Sequence, residues 1–343
     1  MSAIPDYTQV VVSKPLGGLN DTLCQIQRAL HFAEHTGRHL FLDTTESGIL
    51  APFDDFFEFV DDTIPVTIGF PTAEVARWNQ MSVSPASLEG RVSEFFDTPY
   101  PQRFEMVGDP ESRAVRLPPP DVQADLVVHH QRGGGRKSHV VLRHIRLRSD
   151  VMTEIRDMVS DLPEHYAAVH IRATDYTTDH VAMLGRVKRA EKSLPVLVCS
   201  DNADVLADAI TILGESKVLF FPSQQDVPPG TPLHEAGNYQ SDSEKRHATL
   251  TLLRDVYAMS GAKTFYFGPI EQRGKFGEIT FSGLSTLVRF LVTTPQVRAS
   301  VFPAGPDTSQ ESTARLLAPV GVRMRLAWER KYLKAKRFKK ARR

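Results

Sequence analysis

Residues Gln9–Lys14 read QVVVSK, a short β-branched run. Gly17-Gly18 follow, and then Leu23, Ile26, Leu30 and Ala33 recur at spacings of three and four. A second short apolar run, His39–Asp43 (HLFLD), comes next. A strand that turns on glycine into an amphipathic helix and returns as a strand has few folds open to it. The helix supplies the crossover that parallel pairing needs, and parallel sheets are buried on both faces. Asn20 or Asp21 stands where a helix cap is expected, and Gly37 where the helix stops.

The alternation returns after residue 149. Ser149 is placed to cap a helix running to about Asp161. Strands are expected at Tyr166–Arg172 (YAAVHIR), Leu194–Cys199 (LPVLVC), Lys217–Phe221 and Lys263–Gly268. Helices are expected around Leu206, Ile210 and Leu213, over Lys245–Ser260 and over Ser285–Leu291. Residues 63–138 resist assignment: Pro118-Pro119-Pro120 and Gly133-Gly134-Gly135 read as loops, and variable structure is expected there. Residues 303–318, rich in Pro, Gly, Ser and Thr, read as a linker. The expected fold class is α/β, with two Rossmann-like domains built on parallel sheets: residues 1–160, residues 161–300, and a tail over 301–343. Ligands of such folds lie at the carboxyl ends of the strands.

The net charge of zero conceals a division. Residues 321–343 hold eleven Lys and Arg against the single Glu329, so an acidic body carries a basic C-terminal arm. On a helical wheel Met324, Trp328, Tyr332, Ala335 and Phe338 share one face of that arm, as in helices that lie on anionic membranes. A solvated tail is the alternative. The acidic body argues against nucleic acid as a partner. Met1–Tyr7 has neither the basic region nor the apolar core of a secretory signal, no apolar run is long enough to span a bilayer, and the two cysteines form no disulfide framework. A cytoplasmic protein is expected, peripheral at the inner membrane face if the arm binds lipid.

Four stretches could carry chemistry. In Lys14–Asp21 (KPLGGLND), Gly17 and Gly18 would let a phosphate approach the helix start, or they are a plain turn. In His170–Tyr176 (HIRATDY), His170 and Arg172 are two apart and share a side of the strand, and an arginine there suits a diphosphate. Its alternative is an Arg–Asp pair that holds a loop. Cys199–Asn202 (CSDN) ends a strand in Ser200 and Asp201; Asp201 caps the next helix or accepts hydrogen bonds from a base or ribose. Thr280-Phe281-Ser282 precede a helix and offer hydroxyls and amides to a phosphate, or an ordinary N-cap.

Taken together and in this order, these motifs resemble the GDP-fucose-dependent fucosyltransferase superfamily, and among its members the nodulation-factor fucosyltransferases most. The GGLND turn, TGRHLFLD, Pro52-Phe53, VHIRATDY, VLVCSDNADVL, Pro232-Leu233-His234 and the LLRDVYAMSGAKTFYF…TFSGL segment carry the likeness across residues 15–291. The resemblance implies a GT-B-like fold, with the acceptor side in residues 1–160 and the donor site in residues 161–300. It implies inverting, metal-independent transfer of fucose from GDP-fucose, which is a donor substrate and not a cofactor, to a glycan or glycolipid hydroxyl. It assigns Arg172 to the diphosphate, His170 and Asp201 to the nucleoside, and Ser282 to phosphate. Gly17, Gly18, Asn20, Ser200, Thr280 and Phe281 join the donor-binding set. Ala173 departs from many relatives, which have a second basic residue there, and Gly283 from some, which have another serine.

Asp175 or Asp179, just past the Arg172 strand, is the expected catalytic base, with His180 third; both acids could equally be surface or capping groups. The rival reading is a non-catalytic carbohydrate- or nucleotide-binding protein of the same fold. Gly133–Ser138 (GGGRKS) resembles a P-loop only loosely, since Lys137 does not follow the last glycine and no buried strand is seen to lead in. His129-His130 have no matching metal-ligand set, and the chain has no Asp-x-Asp triplet.

Overall fold

The computed structural model describes residues 7–60, 65–108, 111, 113–135, 137–173, 176–222, 238–272, 280–303 and 312–317. They fall into two compact units. The first draws on Met1–Leu162, Thr231–Gly261 and Gly283–Glu311, and the second on Pro163–Gly230, Ala262–Ser282 and Ser312–Arg343.

The first unit begins β1 (Val10–Ser13), α1 (Leu19–Thr36), β2 (His39–Leu42), β3 (Phe57–Phe59), β4 (Val66–Ile68), α2 (Thr72–Trp78), β5 (Val83–Ser84) and α3 (Val92–Asp97). It continues with β6 (Leu126–His129), α4 (Ser138–Val141), β7 (Ile145–Leu147) and α5 (Ser149–Met158). Its main sheet has the order β4-β2-β1-β6-β5 with every pair parallel, and β3 pairs antiparallel with β7. Val10 and Val12 of β1 pack with Phe41, Trp78, Val83, Phe95, Phe104 and Val128 in a core on one face of the sheet.

The second unit holds β8 (Ala167–Ile171), β9 (Tyr176–Thr177), α6 (His180–Ala190), β10 (Val196–Ser200), α7 (Ala203–Leu213) and β11 (Val218–Leu219). The chain then forms α8 (Asp242–Gly261) in the first unit and returns for β12 (Thr264–Phe267) and β13 (Glu271–Gln272). It leaves again for α9 (Gly283–Thr293) and α10 (Pro295–Val301), and ends the described fold at β14 (Thr313–Leu316). The sheet order is β11-β10-β8-β12-β14, all parallel, and β13 pairs antiparallel with β9. Ala167, Val169 and Ile171 of β8 meet Leu184 and Val187 of α6 and Val205 and Ala209 of α7 in its core.

The expected α/β class with two parallel sheets is present. Several local expectations are corrected. α1 starts at Leu19 with Gly18 as its N-cap, so Asn20 and Asp21 lie inside the first turn and neither caps it. Gly37 does end α1, in the left-handed conformation at φ 65°, with its N–H turned to the carbonyls of Ala33 and Glu34. Residues 313–316 are not linker: β14 adds to the sheet edge beside β12, Thr264 to Thr313 through Phe267 to Leu316. A buried strand, β6, does lead into the Gly133–Gly135 loop. That loop still lacks P-loop character, because α4 is only four residues long and Gly134 lies so close to α1 that a Cβ there would fall 2.1 Å from the Cys24 Cβ.

Candidate functional site

In the second unit the chain runs from β8 outward through β10 to β11, then restarts on the other side of β8 with β12 and β14. Strand order therefore reverses between β8 and β12, and the carboxyl ends of those strands are where an open parallel sheet leaves room for a ligand. His170 is the penultimate residue of β8, paired in register with Cys199 of β10 and Phe267 of β12. It is buried. Burial pushes its imidazole down to about 4; Asp201 opposes that shift and Arg172 adds to it. His170 is thus neutral at pH 7, with one nitrogen to donate and one to accept.

Arg172 is the first residue past β8 and is half-buried. Its guanidinium carbon lies 5.3 Å from the centroid of the Tyr176 ring, a cation–π contact. The Thr178 hydroxyl donates to the Arg172 carbonyl. The next amide, Ala173 N–H, donates to Asp201 Oδ1 at 2.8 Å. Asp201 therefore holds the loop after Arg172, and it is Asn202 that caps α7, accepting from the Asp204 amide at 2.8 Å. The capping alternative for Asp201 is set aside by that geometry. Ser200 closes β10, buried, and its Oγ accepts from the Asn202 amide.

Past β12, Thr280 and Ile270 exchange backbone hydrogen bonds at 3.0 and 3.3 Å, which returns the chain to the sheet edge. Phe281 packs edge-on against Phe267, 5.9 Å between centroids, and Ser282 is buried immediately before α9. Histidine, arginine, carboxylate and hydroxyls are so gathered at one edge of one sheet, as their sequence order suggests.

Of the candidate bases, Asp179 is the N-cap of α6, its Oδ1 accepting from the Ala182 amide at 3.0 Å. His180 Nε2 lies 2.7 Å from Asp208 Oδ2, an α6–α7 pair. Asp175, Pro232-Leu233-His234 and the basic arm 321–343 lie outside the described residues.

Gly17, Gly18 and Asn20 belong to the first unit. Gly17 takes φ +92°, a conformation that favours glycine, and Gly18 is extended. The turn is seated on Gly48, where a Cβ would fall 2.5 Å from the Gly18 carbonyl carbon and the Leu19 nitrogen. Asn20 is buried and committed: its amide donates to the Gly135 carbonyl at 3.2 Å and it accepts from the Ser138 hydroxyl at 2.7 Å.

The sequence reading missed the polar groups at the carboxyl edge of this first sheet. His129 hydrogen-bonds Ser13 Oγ at 2.9 Å and Gln25 Oε1 at 3.1 Å. Burial above all holds the His129 and His130 imidazoles down to about 3. Lys14, Asp43, Glu46 and Arg103 form an ion-paired group beside them. Their only signal was position: Lys14 and Asp43 each follow a short buried strand. Among the described residues no group of three or more His, Cys, Asp or Glu is arranged to hold a metal ion, and no helix is long and apolar enough to cross a membrane.

The fold has solved counterparts. The chain matches NodZ α-1,6-fucosyltransferase soaked with GDP-fucose at a TM-score of 0.54 and 20% identity, over 82% of this chain and 92% of that one. It matches fucosyltransferase NodZ from Bradyrhizobium at 0.52 and 19%, over 84% and 93%. For NodZ co-crystallised with GDP the values are 0.52 and 18%, over 86% and 93%. No family model and no curated protein sequence matches. At such identities the likeness is one of fold, and the fold is the GT-B-like α/β type that the motifs implied.

Proposed function

We propose that the chain is an inverting, metal-independent glycosyltransferase that moves fucose from GDP-fucose to a hydroxyl of a glycan or glycolipid. The observation that carries this reading is Arg172, which leaves the central strand where strand order reverses, beside a neutral His170 and the carboxylate of Asp201. The fold shared with a fucosyltransferase crystallised with GDP-fucose supports it.

In the proposed reaction an acceptor oxygen forms the new bond to the anomeric carbon as the bond from that carbon to the diphosphate oxygen breaks. GDP departs with the electron pair, and the acceptor proton passes to the carboxylate of Asp175 or Asp179. Arg172 meets the growing charge on the diphosphate, where a planar guanidinium holds two oxygens at once. His170 and Asp201 receive the nucleoside. Ser200, Thr280, Phe281 and Ser282 complete the donor contacts in the second unit. The basic arm 321–343 supports peripheral attachment to anionic lipid; deleting it should weaken binding to phosphatidylserine vesicles and leave GDP binding unchanged.

The test is calorimetric titration of GDP with EDTA present, followed by transfer from labelled GDP-fucose to oligosaccharide, lipid and peptide acceptors. GDP should bind without metal, and GDP-fucose should outperform GDP-mannose. A strict divalent-metal requirement or a preference for UDP would overturn the reading. Binding with neither transfer nor donor hydrolysis would favour a non-catalytic protein of this fold.

A further inference from the structure

Arg172 stands one residue beyond the part of its strand that the sheet holds. β8 ends at Ile171, in register with Ser200 of β10, and its pairing with β12 ends at His170. The ladder therefore fixes the backbone that enters Arg172 and not the backbone that leaves it. What leaves it is one planar unit. The peptide bond between Arg172 and Ala173 carries the Arg172 carbonyl and the Ala173 N–H on opposite edges of a single plane. Side chains hold both edges: the Thr178 hydroxyl donates to the Arg172 carbonyl, and Asp201 Oδ1 accepts the Ala173 N–H at 2.8 Å.

Anchors on opposite edges of one plane oppose its rotation about the line that joins its two Cα atoms. That rotation changes ψ of Arg172 and φ of Ala173, the soft dihedrals on either side of the peptide. With β8 setting the approach and the two anchors setting the exit, the direction of the Arg172 Cβ is determined from both sides. The anchors come from different elements. Asp201 follows β10. Thr178 follows β9, which pairs with β13, Tyr176 with Gln272 and Thr177 with Glu271. Residues two apart on an extended chain share a side, and Tyr176 and Thr178 both reach Arg172, one at the guanidinium and one at the carbonyl. Thr178 is itself held, because its carbonyl accepts the His180 N–H at 2.9 Å where α6 begins.

We infer that Thr178 is a positioning residue for Arg172: with Asp201 it clamps the Arg172–Ala173 peptide and so sets where the guanidinium points. This rests on the reading of Arg172 as the group that meets the donor diphosphate. A hydrogen bond that only closes the loop has a different signature. It contributes to folding whatever side chain stands at position 172, and its loss adds to the loss of Arg172. A clamp that acts through Arg172 matters to the donor only while Arg172 is present.

The test is a double-mutant cycle on the full chain, read by calorimetric titration of GDP with EDTA present. Thr178→Val removes the hydroxyl and keeps the shape, whereas Thr178→Ser keeps the hydroxyl. Thr178→Val should weaken GDP binding about fivefold or more, as coupled neighbours do, and Thr178→Ser should stay within about twofold of wild type. Added to Arg172→Ala, Thr178→Val should weaken GDP binding no further. In transfer assays Thr178→Val should lower kcat by about tenfold, because a misplaced group loses turnover, and Thr178→Ser should restore it. Should Thr178→Val fail to fold, Thr178→Ala takes its place in the cycle. Three results overturn the clamp: wild-type GDP affinity in the folded variant, equal losses for Thr178→Val and Thr178→Ser, or an undiminished loss in the Arg172→Ala background. Wild-type protein that binds no GDP, or Arg172→Ala that binds it as wild type does, overturns the donor reading of Arg172 instead.

Discussion

Asp201 Oδ1 accepts the Ala173 amide at 2.8 Å, so the end of one central strand ties down the loop that follows Arg172 on the next. Removing the acceptor strands that amide, at about 1–3 kcal/mol for a buried donor. Asp201→Ala should therefore weaken GDP binding roughly tenfold in calorimetry, since about 1.4 kcal/mol is a factor of ten. Asp201→Asn keeps a carbonyl oxygen for Ala173 and should bind GDP better than the alanine variant. It also removes the charge that favours protonated His170, so the His170 imidazole should titrate still lower by NMR. Equal GDP affinities for the two variants would show that the loop tie is irrelevant to the donor.

Arg172→Ala and Arg172→Lys should both fold with melting temperatures near wild type, because the side chain is only half-buried and lies just past the end of β8. Both should lose transfer by on the order of 10²–10³, the typical cost of one preorganised stabiliser of developing charge. Lysine keeps the charge and loses the planar fork and the stacking on Tyr176. Near wild-type transfer by the alanine variant would refute the assigned role, and unfolding of either would make Arg172 a structural residue.

Acid should destabilise this protein well above the carboxylate range. Unfolded imidazoles titrate near 6.5, while burial holds His129 and His130 at about 3 and His170 at about 4. Between these values the unfolded chain binds protons that the native chain refuses. Stability is therefore complete above about pH 6.5 and declines as pH falls below it. Each such histidine contributes up to about 1.4 kcal/mol per pH unit, so roughly 3 kcal/mol should be lost between pH 6 and 5. Urea midpoints at pH 7.5, 6 and 5 check this, and a flat profile would contradict it.

Two glycines should respond differently to alanine. At Gly48 the new Cβ meets backbone, 2.5 Å from Gly18 and Leu19, and backbone cannot step aside without moving the start of α1. At Gly268 it meets Met183, 2.4 Å from Sδ and 2.7 Å from Cε, the far end of a flexible side chain. Gly48→Ala should cost about 1–3 kcal/mol or more, and Gly268→Ala less than about 1 kcal/mol. Scanning calorimetry ranks them, and the reverse order would mean that the turn before α1 is soft.

The parallel strands were legible because each is a short β-branched or aromatic run bounded by turn residues, as with Val10–Ser13 and Ala167–Ile171. β6 was missed because its run, Leu126–His129, ends in histidine, and nothing local reveals that His129 and His130 find buried partners among Gln25, Ser13 and Lys14. β14 was hidden in a Pro- and Ser-rich stretch; pairing with Thr264–Phe267 makes it a strand. At the site, strand-end position pointed to His170, Arg172 and Ser200. Which of two adjacent polar residues caps α7 depends on where the Ala173 amide points, and that is set by tertiary structure. Glu46 lies in a loop, and its cation Arg103 comes from a distant segment.

The first unit is assembled from three stretches of chain separated by parts of the second. The Thr249 hydroxyl closes onto the Ile49 carbonyl across 200 positions, His139 stacks on Phe290 at 4.0 Å, and Arg246 pairs with Glu154. Larger proteins commonly complete an N-terminal domain while the rest is still being synthesised. That order is closed to this chain. Its first 160 residues leave the ribosome with apolar faces that α8, α9 and α10 will cover only after Val301 has emerged. By then β8, β10 and β12 have been made as well, so both units reach completion at nearly the same moment. Until then those faces stay uncovered, and a gene cut at Leu162 should yield an aggregating fragment, not a small stable domain.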